Sequence, residues 1–225
     1  MSDSRQSEIA AALADVRSRI PAHVTLIVVT KTFPASDVEI LYQLGERNFG
    51  ENRDSEGSEK SLDLPEDSIW HFQGAIQSNK LRSIVQWSDF IHSLDDISHA
   101  RKISSLADEA NKKQSCFIQI NLDPEINENS QRSGISIDEL DSFAEAAAAM
   151  TGITVVGVMG VGPLNADPRP AFATLEKASQ ALQKTIPGAT FISGGMSGDF
   201  EIALEFGATH VRVGSSILGS RYPSP

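Results

Sequence analysis

Val24-Thr25-Leu26-Ile27-Val28-Val29-Thr30-Lys31-Thr32-Phe33-Pro34 is the stretch that decides the fold. Its apolar, β-branched run reads as a buried parallel strand, and Pro34 bars that strand from continuing. No glycine fingerprint follows the strand, as a dinucleotide-binding open sheet would require. Instead a lysine stands at the strand's C-terminal lip, where α/β folds place their chemistry. A lysine there is costly unless its amine is paired, covalently used or able to reach water. The plain alternative is a side chain that snorkels to the rim.

Outward from this strand the chain alternates. Further strands are expected at 46–50, 69–73, 89–94, 115–121, 153–159, 190–193 and 209–213. Helical spacing of apolar residues falls between them, at 36–44, 95–112, 137–150, 170–185 and 199–206. An additional helix at about 4–20 carries Ile9, Leu13, Val16 and Ile20 on one face, and Pro21 ends it. Eight strand–helix units in 225 residues fit a (β/α)8 TIM barrel. A doubly wound sheet is the alternative. We expect one domain over 1–225.

The formal charge of −11 opposes nucleic-acid and anionic-membrane binding. The single Cys116 sits in an apolar run and reads as a small buried residue in a reducing compartment. With no signal-like or membrane-spanning stretch, a cytoplasmic protein is expected. The five histidines show no metal-ligand spacing.

In a barrel all strand ends open on one mouth. The polar residues expected there are Lys31, Asn52, Gln77, Asn79, Lys80, Ser93 and Asn121, with Met159 among them. Two later segments join them: Ser193-Gly194-Gly195-Met196-Ser197-Gly198-Asp199 and Arg212-Val213-Gly214-Ser215-Ser216. Glycines that admit an anion, helix N-termini and the hydroxyls of Ser197 and Ser215 together read as a phosphate site after the last two strands. A plain tight turn at Gly194-Gly195, with Ser197 capping the helix, is the other reading. A lysine and a phosphate cradle in one mouth suit a phosphorylated aldehyde, either pyridoxal phosphate or the substrate of a phosphosugar aldolase. Arg212 could face a flat cofactor ring, or could be a structural arginine paired with an interior acid.

Several segments in this order resemble the pyridoxal phosphate homeostasis proteins, the YggS/PROSC family, whose barrel is like the N-terminal domain of alanine racemase. They are Val29-Thr30-Lys31-Thr32, Asn48-Phe49-Gly50-Glu51-Asn52, Trp70-His71-Phe72-Gln73-Gly74 and Gln77-Ser78-Asn79-Lys80. Arg132-Ser133-Gly134, Gly195-Met196-Ser197 with Asp199 and Glu201, and Val211-Arg212-Val213-Gly214-Ser215 complete the set. The resemblance spans about Val24 to Arg221. It implies that Lys31 forms the internal aldimine with pyridoxal 5'-phosphate. By the same match Ser197, Gly214 and Ser215 hold the phosphate, Arg212 lies near the pyridine nitrogen, and Asn52 and Met159 line the pocket. Ser215 stands where the family usually has Thr, and Arg132 where it often has Lys.

The resemblance also implies a carrier or regulator of the cofactor pool and not an enzyme. A racemase needs a second acid/base opposite the lysine, which alanine racemases take from a tyrosine on an extra domain of the partner chain. Here the tyrosines are Tyr42, on an expected helix, and Tyr222, in the tail. A low-activity racemase or lyase is the alternative. Expected partners are the cofactor itself and pyridoxal-phosphate-dependent apoenzymes as recipients, with the chain a monomer.

Overall fold

The β-branched run that opens the sequence forms β1 (Thr25–Val29) in the computed structural model, which describes residues 2–123 and 133–219. Seven more strands follow: β2 (Asn48–Glu51), β3 (Ile69–Phe72), β4 (Phe90–Leu94), β5 (Gln114–Ile120), β6 (Ile153–Gly160), β7 (Phe191–Ser193) and β8 (His210–Val213). Each pairs in parallel with its neighbour in sequence order, and β8 returns to β1 to close the barrel. The closing register sets Thr25 beside His210, Ile27 beside Arg212 and Val28 beside Val213. The expected strands agree with those observed to within two residues at each end.

Helices clothe this barrel: α1 (Ser2–Ser18), α2 (Ala35–Gln43), α3 (Asp54–Asp63), α4 (Leu81–Trp87) and α5 (Ile97–Glu109) in the first half. The second half adds α6 (Leu140–Ala148), α7 (Arg169–Thr185), α8 (Phe200–Glu205) and α9 (Ser215–Leu218). The main apolar core lies between the layers. Val28, Phe49, Phe72, Ile118 and Val211 from the strands meet Leu41, Ile84, Ile103, Leu175 and Phe200 from the helices. The helix α7 shows why periodicity located these elements: Phe172, Leu175, Ala178, Ser179 and Leu182 recur at three- and four-residue steps and are buried. Asp96 caps α5 by accepting from the N–H groups of Ser98 and His99.

The polar sequence of α3, Asp54-Ser55-Glu56-Gly57-Ser58-Glu59-Lys60-Ser61-Leu62-Asp63, shows no apolar stripe. Its buried residues are Gly57 and Lys60. Gly57 lies against the indole of Trp87, where a Cβ would come within 2.4 Å of the ring. The first helix starts two residues earlier than its expected limit and buries Ile9, Leu13 and Val16. It is tied to the barrel by Arg5, which donates to Asp37 at 2.6 Å, and by Arg17, which grips Glu46 with two nitrogens.

The barrel interior departs from the usual filling of Val, Ile and Leu. His71 stacks on Phe90 at 4.8 Å and His92 on Phe117 at 4.2 Å, while His210 lies 4.7 Å from the ring of Phe191. Among the described residues no helix is long and apolar enough to cross a membrane.

Candidate functional site

Beyond β1 the chain turns sharply. The N–H of Phe33 donates to the carbonyl of Thr30 at 3.1 Å, so Thr30-Lys31-Thr32-Phe33 forms a β-turn with Lys31 at its second position. Thr32, at the third, has φ +69°. That conformation suits glycine; in a β-branched residue it costs of order 1–3 kcal/mol. The turn sets Lys31 at the edge of a cavity of about 250 Å³.

Lys31, Asn52, Met159, Ser197, Arg212, Gly214 and Ser215 all line this one cavity. Barrel closure is the reason. With β8 hydrogen-bonded to β1, the loop after Val213 emerges beside the loop after Val29. Phe33, Gln73, Val161 and Met196 are also in the walls. Gln73 is the addition that sequence could have supplied, because it ends an expected strand and so points to the mouth. The other expected mouth residues are not brought in. Gln77, Asn79 and Lys80 are exposed in the loop that leads to α4, and Lys80 lies 3.9 Å from Asp54. Ser93 is buried elsewhere, and the Asn121 side chain accepts from the N–H of Asp123 at 2.9 Å. Arg132 lies outside the described residues.

The two glycine–serine loops meet on a hydroxyl. The Ser197 Oγ accepts from the N–H groups of Gly214 and Ser216, each at 3.3 Å. Ser197 therefore does not cap α8; Asp199 precedes that helix, and its carboxylate accepts from the Met196 N–H at 2.6 Å. Gly195 needs its φ of +88°, and a Cβ there would strike Phe200. At Gly214 a Cβ would lie 2.9 Å from the Val29 carbonyl. The helices α8 and α9 have six and four residues. The expected helix N-termini are therefore short, and an anion at these loops would meet individual N–H groups and hydroxyls with little helix dipole.

Arg212 is buried at the cavity floor. Its Nη1 donates to Ser193 Oγ at 2.7 Å and its Nη2 to the Gly160 carbonyl at 2.9 Å. The interior acid considered as its partner is replaced by these two neutral acceptors. Burial brings the guanidinium down to about 10, with the charge of Asp199 acting in the opposite direction, so it remains a cation at neutral pH.

From Arg212 a hydrogen-bonded chain runs down the barrel. Ser193 Oγ lies 3.0 Å from His92 Nδ1, His92 Nε2 lies 2.9 Å from His71 Nδ1, and His71 Nε2 lies 3.1 Å from Asn48 Oδ1. Arginine can only donate and the amide oxygen only accepts. One assignment satisfies every link: Ser193 donates to His92, and both rings are neutral with the proton on Nε2. Burial lowers the affinity of both rings for a second proton, reinforced at His71 by His210 and at His92 first by His71, then by Arg212 and His210.

Behind the Lys31 turn lies a second buried polar group. Glu51 Oε1 accepts from Thr30 Oγ1 at 2.6 Å and from Lys60 Nζ at 2.7 Å, while its Oε2 has no partner. Burial raises its carboxyl above the ordinary value, against the opposing charge of Lys60. Cys116 is buried, and its thiol is pushed up to about 12, which removes it as a nucleophile. Among the described residues no group of His, Cys, Asp and Glu could hold a metal.

The residues of the cavity fit pyridoxal 5'-phosphate. The volume lies just below the roughly 300–1,000 Å³ of drug-sized ligand pockets. Gln73, which lines the cavity, has a buried Nε2 with no hydrogen-bond partner. Gly214 lets its loop pass close against the Val29 carbonyl beside Lys31, an approach that a side chain would block.

A parallel eight-stranded barrel with a strand-end lysine facing two glycine–serine loops is a barrel of the alanine racemase N-terminal kind. The model of the family "Alanine racemase, N-terminal domain" matches residues 5–222. Within that class the chain belongs to the pyridoxal phosphate homeostasis protein family. It is 36% identical to the Mycobacterium leprae pyridoxal phosphate homeostasis protein, over 98% of this chain and 96% of that one. To the Escherichia coli K12 protein of the same name it is 32% identical, over 96% and 97%. The structure of PipY of Synechococcus elongatus with PLP bound superposes with a TM-score of 0.85 at 33% identity, over 94% of this chain and all of that one.

Proposed function

We propose that this chain binds pyridoxal 5'-phosphate and serves in its homeostasis, with Lys31 as a reversible covalent tether. One observation carries the reading: Lys31 shares a single cavity with Ser197, Arg212, Gly214 and Ser215, although nearly the whole chain separates them in sequence. The names of the curated relatives and the bound PLP of PipY support it.

Bound there, the cofactor supplies an aldehyde. Lys31 would be the amine placed to hold that aldehyde as a reversible covalent tether. Ser197, Gly214 and Ser215, on the two loops that meet at the Ser197 hydroxyl, would hold the phosphate. Asn52 and Met159 would line the pocket for the ring, and Arg212 would lie near the pyridine nitrogen. A cation at that nitrogen opposes its protonation and weakens the ring as an electron sink. This supports a tether and not an enzyme. Tyr42 supports it too, because its hydroxyl donates to Asp67 at 2.6 Å on the outer surface. Among the described residues lining the cavity, the ionisable side chains are Lys31 and Arg212. Cofactor-requiring apoenzymes are the proposed recipients, and a cytoplasmic monomer the proposed form.

The purified protein should show a visible absorbance band with pyridoxal 5'-phosphate and a borohydride-stable adduct on Lys31. Lys31→Ala should abolish both. A spectrum unchanged in that variant would refute the assignment.

A further inference from the structure

Lys31 is presented by a turn whose conformation its own residues do not favour. Thr32 has φ +69°, and its hydroxyl is buried with no hydrogen-bond partner. Neither the backbone preference of threonine nor its side chain explains the geometry, so the surroundings must impose it. Two residues of α3 are placed to do so. The Thr32 N–H donates to Glu56 Oε2 at 2.6 Å, and Lys60 Nζ donates to the Thr30 carbonyl at 2.9 Å. Both peptide groups that flank Lys31 are therefore gripped from behind. Lys60 also joins Glu51 at 2.7 Å and lies 3.5 Å from Glu56, which ties the two grips into one unit.

We propose that Glu56 and Lys60 are positioning residues for Lys31, clamping the Thr30–Phe33 turn so that its amine is held in the cavity. This rests on the cofactor reading above and adds two residues that do not line the cavity. Glu56 accepts a charge-assisted hydrogen bond from a backbone that would otherwise relax from the left-handed region. Lys60 sits between the carboxylates of Glu51 and Glu56 while fixing the Thr30 carbonyl, which already accepts from Phe33. Relaxation at Thr32 would redirect Lys31 without unfolding the barrel, because the β1 ladder ends before the turn.

The test compares wild type, Lys31→Ala, Glu56→Ala, Glu56→Gln and the double variant Glu56→Ala/Thr32→Gly. The readouts are pyridoxal 5'-phosphate affinity and visible absorbance per bound cofactor, with circular dichroism to verify folding. Glu56→Ala should weaken affinity about tenfold, as expected for a lost hydrogen bond to a charged group, and lose most of the band. Glu56→Gln keeps an acceptor oxygen and should retain both. Glycine adopts positive φ freely, so Thr32→Gly should restore binding in the Glu56→Ala background; a merely structural role for Glu56 would show no such rescue. A folded Glu56→Ala with unchanged affinity and band, or a double variant that stays impaired, overturns the proposal. If Glu56→Ala does not fold, amide exchange in the wild type decides: the Thr32 N–H should be protected about a hundredfold or more, and an unprotected amide overturns the clamp. A wild-type band that does not depend on Lys31 refutes the cofactor reading itself. A Lys31-dependent band that survives Glu56→Ala overturns only the clamp.

Discussion

Lowering the pH from 7 to 5 should destabilise the barrel through the histidines of its interior. His71 and His92 are held neutral well below their ordinary value of 6.5, chiefly by burial, and burial brings His210 down to about 4 with Arg212 adding to it. In the unfolded chain each takes up a proton below about 6.5. Between pH 7 and 5 the unfolded state therefore binds more protons, and stability is lost as the pH falls. For a base that stays neutral in the fold, the loss over this window is about 1.9 kcal/mol, and about 1.8 kcal/mol for one titrating near 4. The three together remove about 5.6 kcal/mol, a large part of the stability of an ordinary domain. Glu51 and Asp95, raised by burial, bind protons in the fold and offset some of this.

The clean measurement is a difference. Urea unfolding of wild type and His210→Phe at both pH values isolates one histidine, because the carboxylate contributions cancel between the proteins. Phenylalanine suits a site already bordered by Phe117 and Phe191. The loss between pH 7 and 5 should be smaller in the variant by about 1.8 kcal/mol. Equal losses in the two proteins, or a wild-type loss under about 1 kcal/mol, would refute the neutral interior histidines.

Other outcomes follow from single contacts. Ser193→Ala leaves Arg212 Nη1 and His92 Nδ1 without a partner and should cost about 2–4 kcal/mol in urea unfolding; a change below about 0.5 kcal/mol would break the chain of assignments. Gly57→Ala drives a Cβ to 2.4 Å from the Trp87 ring and should destabilise by about 1–3 kcal/mol, visible as a lower melting temperature. In Gly214→Ala the new Cβ meets the Val29 carbonyl at 2.9 Å and crowds the cradle. Pyridoxal 5'-phosphate affinity should fall more than about tenfold in a protein with normal circular dichroism, and retained affinity would remove Gly214 from the phosphate site.

Much of this molecule is written locally. The β-branched run before Lys31, the helical steps of α5 and α7 and the glycines of the last two loops each follow from short-range patterns. Element order and the barrel could be read from them, and so could seven of the residues that line the cavity. The misses have physical causes. The helix α3 packs a glycine and a lysine, so hydrophobic periodicity does not reveal it. Gln77, Asn79 and Lys80 looked like mouth residues because they follow a strand, but the intervening loop carries them into solvent.

What the sequence determined alone was the alternation of strand and helix and the presence of a lysine at a strand tip. These depend on side-chain period and backbone preference, which act over a few residues. The tertiary structure decided what that lysine faces. Closing β8 onto β1 brings Ser197, Arg212 and Gly214 to it, and the turn of α3 sets Glu56 and Lys60 behind it. The line from Arg212 through Ser193, His92 and His71 to Asn48 likewise exists only because the strands β2, β3, β4, β7 and β8 point those side chains into one interior. Such contacts are fixed by strand register around a closed sheet, a long-range property that no local window of sequence contains.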